Sequence, residues 1–264
     1  MRPINDTPLT RDGKVLILAY DHGLEHGPVD FDAVPESADP DHVFEIAKHP
    51  AVTSLAVQKG IAEGYYPSYA DDVTLLAKLN GTSNLWMGEP DSAVNCSVEY
   101  AAEIGADAVG FTLYGGANNE VEMAEEFREI QEAARAQGLP VVMWSYPRGQ
   151  GLKNDKKPKT IAYAARQGLE LGADVAKVKY PGSTAAMQDV VDMAAGMKVI
   201  MSGGSKRSDE AFLSDVKGAI DAGAAGLAVG RNVFQRENPE QLLDALEQII
   251  FEEAPLDTAL SQLD

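Results

Sequence analysis

A repeat of short apolar runs, each followed by a longer amphipathic segment, constrains the fold of this chain more than any other feature. The runs are rich in Val, Leu, Ile and Ala and lack polar alternation, which is typical of parallel strands covered by helices. Eight strands are predicted, at Val15–Tyr20, Ser54–Gln58, Asn84–Met87, Ala108–Leu113, Val141–Ser145, Val175–Tyr180, Lys198–Met201 and Gly226–Val229. Helical periodicity is clearest over Glu120–Gln137, Pro158–Leu171, Asp209–Ala222 and Pro239–Phe251.

Glycines mark the returns from helix to strand. Gly105, Gly172 and Gly223 each follow a helical run and precede an alanine that leads into the next strand, and Gly138 stands in the same place before a Leu-Pro pair. Each predicts a left-handed C-terminal cap, a conformation that glycine adopts without steric cost.

Eight strands alternating with helices form either a closed barrel or an open doubly wound sheet. The pattern G-x-G-x-x-G of a dinucleotide-binding sheet does not follow the first strand. Eight units and a length of 264 residues favour an α/β fold with one domain over residues 1–264, a single TIM (β/α)8 barrel with a frayed tail over residues 255–264. The active site of such a barrel lies at the C-terminal ends of its strands.

Charge and composition exclude several classes of partner. A formal net charge of -19, from 41 acidic and 22 basic residues, leaves no broad basic face for a nucleic acid. Such an acidic balance is typical of halophilic adaptation to a salt-rich cytoplasm.

The sequence has no apolar run long enough for a membrane span and no signal peptide, so we expect a cytoplasmic protein. The single cysteine, Cys96, excludes an internal disulfide and a cysteine-rich metal site.

The sixth predicted strand carries the clearest indication of chemistry. Lys177 and Lys179 lie two residues apart, so their side chains point to the same face. On the outer face they would be buried unpaired beneath helices, at several kcal/mol each, so we expect them to point into the barrel mouth. Deprotonating a lysine with a pKa of about 10.4 at pH 7 requires roughly 4.6 kcal/mol, which a like charge nearby and desolvation reduce. The neutral amine of one of the two would then form an imine with a ketone, which is the electron sink that aldol cleavage needs.

Residues at the ends of the fifth and first strands are candidates for proton transfer. Tyr146 shares a face with Trp144 and is expected beside the sixth strand, where a phenol with a lowered pKa acts as general acid and base. The alternative is a core tyrosine with a satisfied hydroxyl. Asp21 either moves protons during imine formation or pairs with a barrel lysine.

Two groups of residues predict phosphate binding. Gly203-Gly204 and Gly230-Arg231 follow the last two strands, where barrels commonly bind phosphate and where glycine allows close backbone approach. Between Arg148 and Lys179 the chain carries eight basic and three acidic residues, which form either a solvated loop or a second anion site. A bisphosphorylated ketose would use both groups.

Metal-dependent aldol chemistry is an alternative to an imine. His22 and His26 lie four residues apart but in a predicted glycine-flanked loop, so the helical geometry of a His-x-x-x-His pair is not given. Asp21 would add a third ligand. A catalytic zinc generally needs three protein ligands, and His42 and His49 lie away from the strand ends. We therefore expect no metal.

Five sequence motifs together resemble those of the archaeal-type class I fructose-1,6-bisphosphate aldolases, also called the DhnA type. The motifs are Ala19–Pro28, Tyr146–Gly149, Ala176–Tyr180, Ser202–Gly204 and Ala228–Asn232, and the similarity extends over nearly the whole chain. The resemblance implies a TIM barrel that reversibly cleaves fructose 1,6-bisphosphate to dihydroxyacetone phosphate and glyceraldehyde 3-phosphate without a cofactor. Members of this family form homo-oligomers, often decamers.

The resemblance also implies roles for individual residues. Lys177 would form the Schiff base, Tyr146 would donate and accept protons, and Asp21 would assist imine formation. The implied substrate contacts are His22, His26, Asp30, Trp144, Arg148, Lys179, Ser202, Gly203, Gly204, Gly230 and Arg231. Many relatives have Thr-Gly-Asp where this chain has Pro181-Gly182-Ser183.

Two further functions are alternatives. A sibling group with the same lysine and barrel comprises the 2-amino-3,7-dideoxy-D-threo-hept-6-ulosonate synthases of aromatic amino acid biosynthesis. Their first-strand motif lacks the continuation Glu25–Pro28 that this chain has. A barrel that binds sugar phosphates without catalysis is the other alternative.

Overall fold

Eight parallel strands form the centre of the computed structural model, which describes residues 4–263. The barrel strands are β1 (Val15–Ala19), β2 (Ser54–Gln58), β3 (Leu75–Lys78), β4 (Ala108–Leu113), β5 (Val141–Ser145), β6 (Val175–Val178), β7 (Lys198–Ser202) and β8 (Gly226–Val229). Each strand pairs with the next, and β8 pairs with β1, with Leu16 opposite Leu227, so the sheet is closed. The TIM barrel expected from the sequence is confirmed.

Helices surround the barrel and flank its mouth. They are α1 (His22–His26), α2 (Pro40–Ala47), α3 (Lys59–Tyr65), α4 (Val98–Glu103), α5 (Glu120–Gln137), α6 (Pro158–Leu171), α7 (Thr184–Met193), α8 (Asp209–Asp221), α9 (Arg231–Phe234), α10 (Pro239–Ile250) and α11 (Leu256–Leu260). The short helices α1 and α9 follow the C-terminal ends of β1 and β8. Within residues 4–263 no helix combines the length and the apolar character needed to cross a bilayer.

Both faces of the barrel strands are buried, which explains why the apolar runs lack polar alternation. In β1, Ile17 belongs to the core inside the barrel, whereas Leu16 packs outward against the helices. The same alternation in β6 places Val175 inside and Ala176 outside. Lys177, two residues after Val175, therefore points inward at the C-terminal end of the barrel.

The expected glycine caps are confirmed. Gly105, Gly172 and Gly223 have φ angles of +88°, +87° and +87°, and Gly138 has a φ of +81°. A side chain would strain the backbone at these angles. The left-handed residue ends each helix and lets the chain turn back toward the sheet.

The predicted position of the third strand is wrong. The third barrel strand is Leu75–Lys78, not Asn84–Met87. Residues 84–87 lie in a loop between Asn80–Gly81 and Ala93–Val94, which pair as a short antiparallel ribbon, and their three apolar side chains are exposed. Three of the four residues are apolar both in the true strand and in residues 84–87, so apolar content alone did not distinguish the strand from the loop.

The C-terminal segment differs from the frayed tail that we expected. Residues Leu256–Leu260 form α11, which packs against α8 and α10. Ala259 is fully buried, and the side chains of Leu256 and Leu260 contact the same core. Apolar residues at helical spacing give this short segment one face that packs. Asp264 lies outside the described residues.

Candidate active site

The C-terminal ends of the barrel strands surround a cavity of about 530 Å³, a volume that suits a small-molecule site. Its walls contain every expected site residue except Asp30. These are Asp21, His22, His26, Trp144, Tyr146, Arg148, Lys177, Lys179, Ser202, Gly203, Gly204, Gly230 and Arg231. Barrel closure thus brings residues from five strand ends to one space.

Lys177 projects from β6 into this cavity. It is 4% exposed, and its Nζ lies 4.6 Å from the centre of the Trp144 ring. Burial lowers the pKa of Lys177 to about 8; Arg231 adds to the lowering, whereas Asp21 and Glu25 oppose it. At pH 7 about a tenth of this amine is therefore neutral.

Lys179 lines the same cavity, but unlike Lys177 it has an ion-pair partner. Its amine forms an ion pair with Asp155, on the loop after β5. The like charge expected from Lys179 therefore does not explain the lowered pKa of Lys177, for which burial comes first and Arg231 is the cation that contributes. The expected direction of the shift and the expected effect of desolvation are confirmed, but the expected contribution of Lys179 is wrong, because Arg231 supplies the like charge.

Tyr146 follows β5 and faces the cavity. Its phenol hydrogen-bonds with the Ser202 side chain, and the Arg148 guanidinium lies 5.7 Å from the centre of its ring. Burial raises the pKa of Tyr146 well above its ordinary value of 10.0, although Ser202 and Arg148 oppose this. The lowered pKa expected for this phenol is wrong. At neutral pH Tyr146 is protonated, which suits a proton donor.

The loop predicted around the two histidines is wrong, because residues His22–His26 form the helix α1, which places both at the cavity. His22 donates from Nδ1 to the carbonyl oxygen of Ala19 at 3.1 Å, and burial lowers its pKa. The Nδ1 atom of His26 lies 2.6 Å from Asp30 Oδ2, and the carboxylates of Glu25 and Asp30 raise the pKa of His26 despite its burial. Asp30 is buried and does not line the cavity, so its position suits orienting His26 rather than touching a substrate.

Glycines after β7 and β8 form part of one wall of the cavity. A Cβ on Gly230 would lie 2.4 Å from the carbonyl oxygen of Ala19, and Gly204 has a φ of +68°. The buried Asn232 donates from Nδ2 to the carbonyl of Gly203 at 3.0 Å, which fixes the loop after β7. This wall leaves the backbone accessible to an anion such as phosphate.

The histidines of the mouth do not assemble a metal site with Asp21. Across the described part of the chain, one group of three side chains has the spacing of metal ligands, and it consists of His49, Asp244 and Glu247. None of these three lines the cavity. The ligand set of the metal-dependent alternative is therefore not brought together.

Sequence reasoning missed several charged residues of the cavity, among them Lys78 and Glu25. Lys78 ends β3, is 3% exposed, and has its Nζ 5.5 Å from the centre of the Trp144 ring. Glu25 lies 3.4 Å from Arg148; burial alone would raise its pKa, but His26 and Arg148 lower it to about 2. A lysine directly after an apolar run was the available signal for Lys78, and it was lost because the third strand was placed too far along the chain.

Comparisons with known proteins bear on the same site. A model of the DeoC/LacD family of aldolases matches residues 15–236. The class 1 fructose-bisphosphate aldolase of Halobacterium salinarum is 73% identical over 263 residues and covers 100% of both chains. That of Thermoproteus tenax is 47% identical over 242 residues, which are 91% of each chain.

A solved structure adds a mechanistic relative. It is an archaeal fructose-1,6-bisphosphate aldolase in which the catalytic lysine is covalently bound to the carbinolamine intermediate of the substrate. Its sequence is 46% identical, and the match covers 90% of this chain and 94% of that one with a TM-score of 0.87. The resemblance inferred from the motifs is confirmed, and the chain belongs to the DeoC/LacD family of aldolases, among the class 1 fructose-bisphosphate aldolases.

Proposed function

We propose that this protein catalyses the reversible cleavage of fructose 1,6-bisphosphate to dihydroxyacetone phosphate and glyceraldehyde 3-phosphate through an imine on Lys177. The observation that carries the proposal is a buried amine in the barrel mouth whose pKa is lowered to about 8. A buried charge without an ion-pair partner costs stability, and a perturbed pKa in a cleft is typical of catalytic groups. Relatives that act on this substrate through a Schiff base support the same reaction.

The chemistry proceeds in two halves. The neutral Lys177 amine attacks the C2 carbonyl of the open-chain ketose, and loss of water from the carbinolamine gives a protonated imine, with Asp21 moving the protons. The ionised form of Tyr146, which the positive charge of the protonated imine stabilises, takes the proton of the C4 hydroxyl as the C3–C4 bond breaks. Glyceraldehyde 3-phosphate is released, and the bonding electrons move into the imine to give an enamine. Protonation at C3 and hydrolysis release dihydroxyacetone phosphate and regenerate the amine.

The raised pKa of Tyr146 fits the reverse direction best. In condensation, the neutral phenol donates its proton to the aldehyde oxygen as the new C3–C4 bond forms. In cleavage the same group must accept this proton, and the positive charge of the protonated imine nearby favours that transfer. Ser202 and Arg148, which both oppose the raised pKa, also favour it.

The two phosphates bind on opposite sides of the imine. The C1 phosphate lies against the glycine wall after β7 and β8, next to Arg231. The C6 phosphate reaches the basic side of the cavity after β5, where Arg148 and Lys156 line the mouth. This arrangement uses both groups of residues that predicted phosphate binding.

Reduction with borohydride in the presence of dihydroxyacetone phosphate tests the proposal. We expect mass spectrometry to find the reduced adduct on Lys177, to find none in Lys177→Met, and to find it unchanged in Lys59→Met, which removes an exposed lysine outside the cavity. An adduct on a different lysine contradicts the proposal. A direct assay of fructose bisphosphate cleavage distinguishes the proposed aldolase from the heptulosonate synthase. Inactivation by a chelator would favour a metal-dependent aldolase.

Assembly and location stay predictions from the resemblance and the composition. We expect a homo-oligomer, such as the decamer that is frequent in this family. Light scattering of the purified protein measures its mass. A monomeric mass would contradict this expectation. Cell fractionation tests the expected cytoplasmic location.

A further inference from the structure

Lys78 is a second buried amine, and the imine chemistry does not use it. It lies at the end of β3, is 3% exposed, and lines the cavity. No ion pair of Lys78 occurs among the described residues. Burying an ammonium group without a counter-ion costs several kcal/mol, and a methionine would fill similar space without that cost. Stability therefore does not explain this side chain.

Two hydrogen bonds hold the Lys78 amine in one position. Its Nζ donates to the backbone carbonyl and to Oδ1 of Asn80, both at 2.7 Å. Asn80 is itself fixed, because Oδ1 accepts from the Thr112 N–H at 2.7 Å and Nδ2 donates to the carbonyls of Thr112 and Ser92 at 2.8 and 3.1 Å. An ammonium group has three N–H donors. Within residues 4–263, no acceptor takes a hydrogen bond from the third N–H of Lys78. That donor is free for a ligand in the cavity.

The indole of Trp144 connects Lys78 with Lys177. The centre of the ring lies 5.5 Å from Lys78 Nζ and 4.6 Å from Lys177 Nζ. The ring reaches across β4 because Gly110 has no side chain there, and a Cβ at this position would lie 2.6 Å from Trp144 Cζ3. Both amines therefore lie near the same ring, and both side chains line the cavity.

The order of strands around the barrel gives the direction of the substrate. With the C1 phosphate at β7 and β8 and with C2 bonded to Lys177 on β6, the rest of the ketose extends toward β5, β4 and β3. The first polar group in that direction is the C3 hydroxyl. On the basis of the proposed function, we propose that Lys78, positioned by Asn80, donates a hydrogen bond to the C3 hydroxyl of the bound ketose and so selects ketoses that carry this group.

The protonation state of Lys78 agrees with a donor role. Burial lowers the pKa of Lys78 to about 8; the charge of Lys177 adds to the lowering, whereas Asp21 and Glu25 oppose it. At pH 7 the amine is still mostly protonated. A charged donor makes a shorter and stronger hydrogen bond to a hydroxyl than a neutral donor does.

Two ketones that differ only at C3 provide the test. Dihydroxyacetone phosphate carries a hydroxymethyl group at C3, and hydroxyacetone phosphate has a methyl group in place of it. Imine formation on Lys177 is trapped with cyanoborohydride over a range of ketone concentrations, and the half-saturating concentration is measured for each. For the wild type we expect a preference of about tenfold or more for dihydroxyacetone phosphate, the size of one charge-assisted hydrogen bond.

Lys78→Met should lose most of this preference by weakening the interaction with dihydroxyacetone phosphate alone. Lys78→Gln, which keeps a neutral donor, should be intermediate, and Lys59→Met should keep the full preference. An unchanged preference in Lys78→Met, or an equal weakening for both ketones, overturns the inference. A wild type that forms no imine with either ketone overturns the proposed function, and the role of Lys78 falls with it.

Discussion

Lys177, at the C-terminal end of the barrel, is held differently from Arg11 and Lys14 at the N-terminal end. At the N-terminal end, Arg11 pairs with Glu247 at 2.8 Å and Lys14 pairs with Glu253 at 3.3 Å. At the C-terminal end, Lys177 is buried and makes no ion pair with any residue that the structure describes. Burial there lowers its pKa to about 8.

This difference separates stability from chemistry. A partly exposed ion pair contributes about 0–1 kcal/mol and leaves both groups charged. A buried amine without a partner lowers the stability of the fold but is neutral often enough to act as a nucleophile. In TIM barrels the C-terminal end carries catalysis and the opposite end carries stability. Substitutions at the two ends should therefore change different properties.

The largest effect is expected from Lys177→Met. The kcat for fructose bisphosphate cleavage should fall by at least about 10⁴-fold, because the covalent path is lost. The melting temperature should stay the same or rise, because an apolar side chain of similar size replaces a buried amine. Steady-state kinetics and thermal unfolding measure the two effects. A lower melting temperature would show that this amine stabilises the fold, which would break the comparison of the two ends.

A smaller loss is expected from Tyr146→Phe. The kcat should fall by about 10²–10⁴-fold, which is typical for removal of a general acid-base group. The imine of dihydroxyacetone phosphate on Lys177 should still be trapped, because the phenol acts at the C3–C4 bond. Tyr114→Phe, at another tyrosine of the cavity wall, is the matched control and should lose much less. Loss of trapping in Tyr146→Phe would assign the phenol to imine formation instead.

The pH dependence sharpens the comparison further. Because the neutral amine is the nucleophile, imine formation should rise about tenfold per pH unit at low pH and level off near the Lys177 pKa of about 8. Lys177 also binds less than one proton in the folded protein, but a full proton in the unfolded chain, between pH 8 and the ordinary lysine pKa of 10.5, so its own contribution to stability should rise with pH in this window. Lys177→Met should reduce this rise. Rates that still increase up to pH 10 would contradict a lowered pKa.

The smallest effect is expected at the N-terminal end. Arg11 pairs with Glu247, donates to the Pro50 carbonyl at 2.9 Å, and lies 3.7 Å from the centre of the Phe251 ring. Arg11→Ala should lower the free energy of unfolding by about 1–2 kcal/mol and leave kcat unchanged. Denaturant unfolding measures the change, and Arg128→Ala on the exposed face of α5 should cost less than about 0.5 kcal/mol. A reduced kcat in Arg11→Ala would show that the two ends are coupled.

The sequence predicted the parts of the site that follow from strand parity. Lys177 and Trp144 lie opposite each other on adjacent strands, and the two-residue periodicity of a strand was enough to orient both side chains. Lys78 was missed because a single short strand was misplaced, and with it the whole β3 side of the cavity. Asp30 was expected at the substrate, but the turn after α1 places it against His26. Contacts made by turns depend on packing that periodicity does not describe.

By itself the sequence determined the alternation of strands and helices, the glycine caps and the inward face of β6, because these depend on interactions within a few residues along the chain. Only the tertiary structure decided that Lys179 pairs with Asp155, that Tyr146 has a raised pKa, and that the indole of Trp144 lies against Lys78 as well as Lys177. The reason is that desolvation and charge interactions depend on distances across the barrel. Those distances are set when residues far apart in the chain are brought together by closure of the sheet.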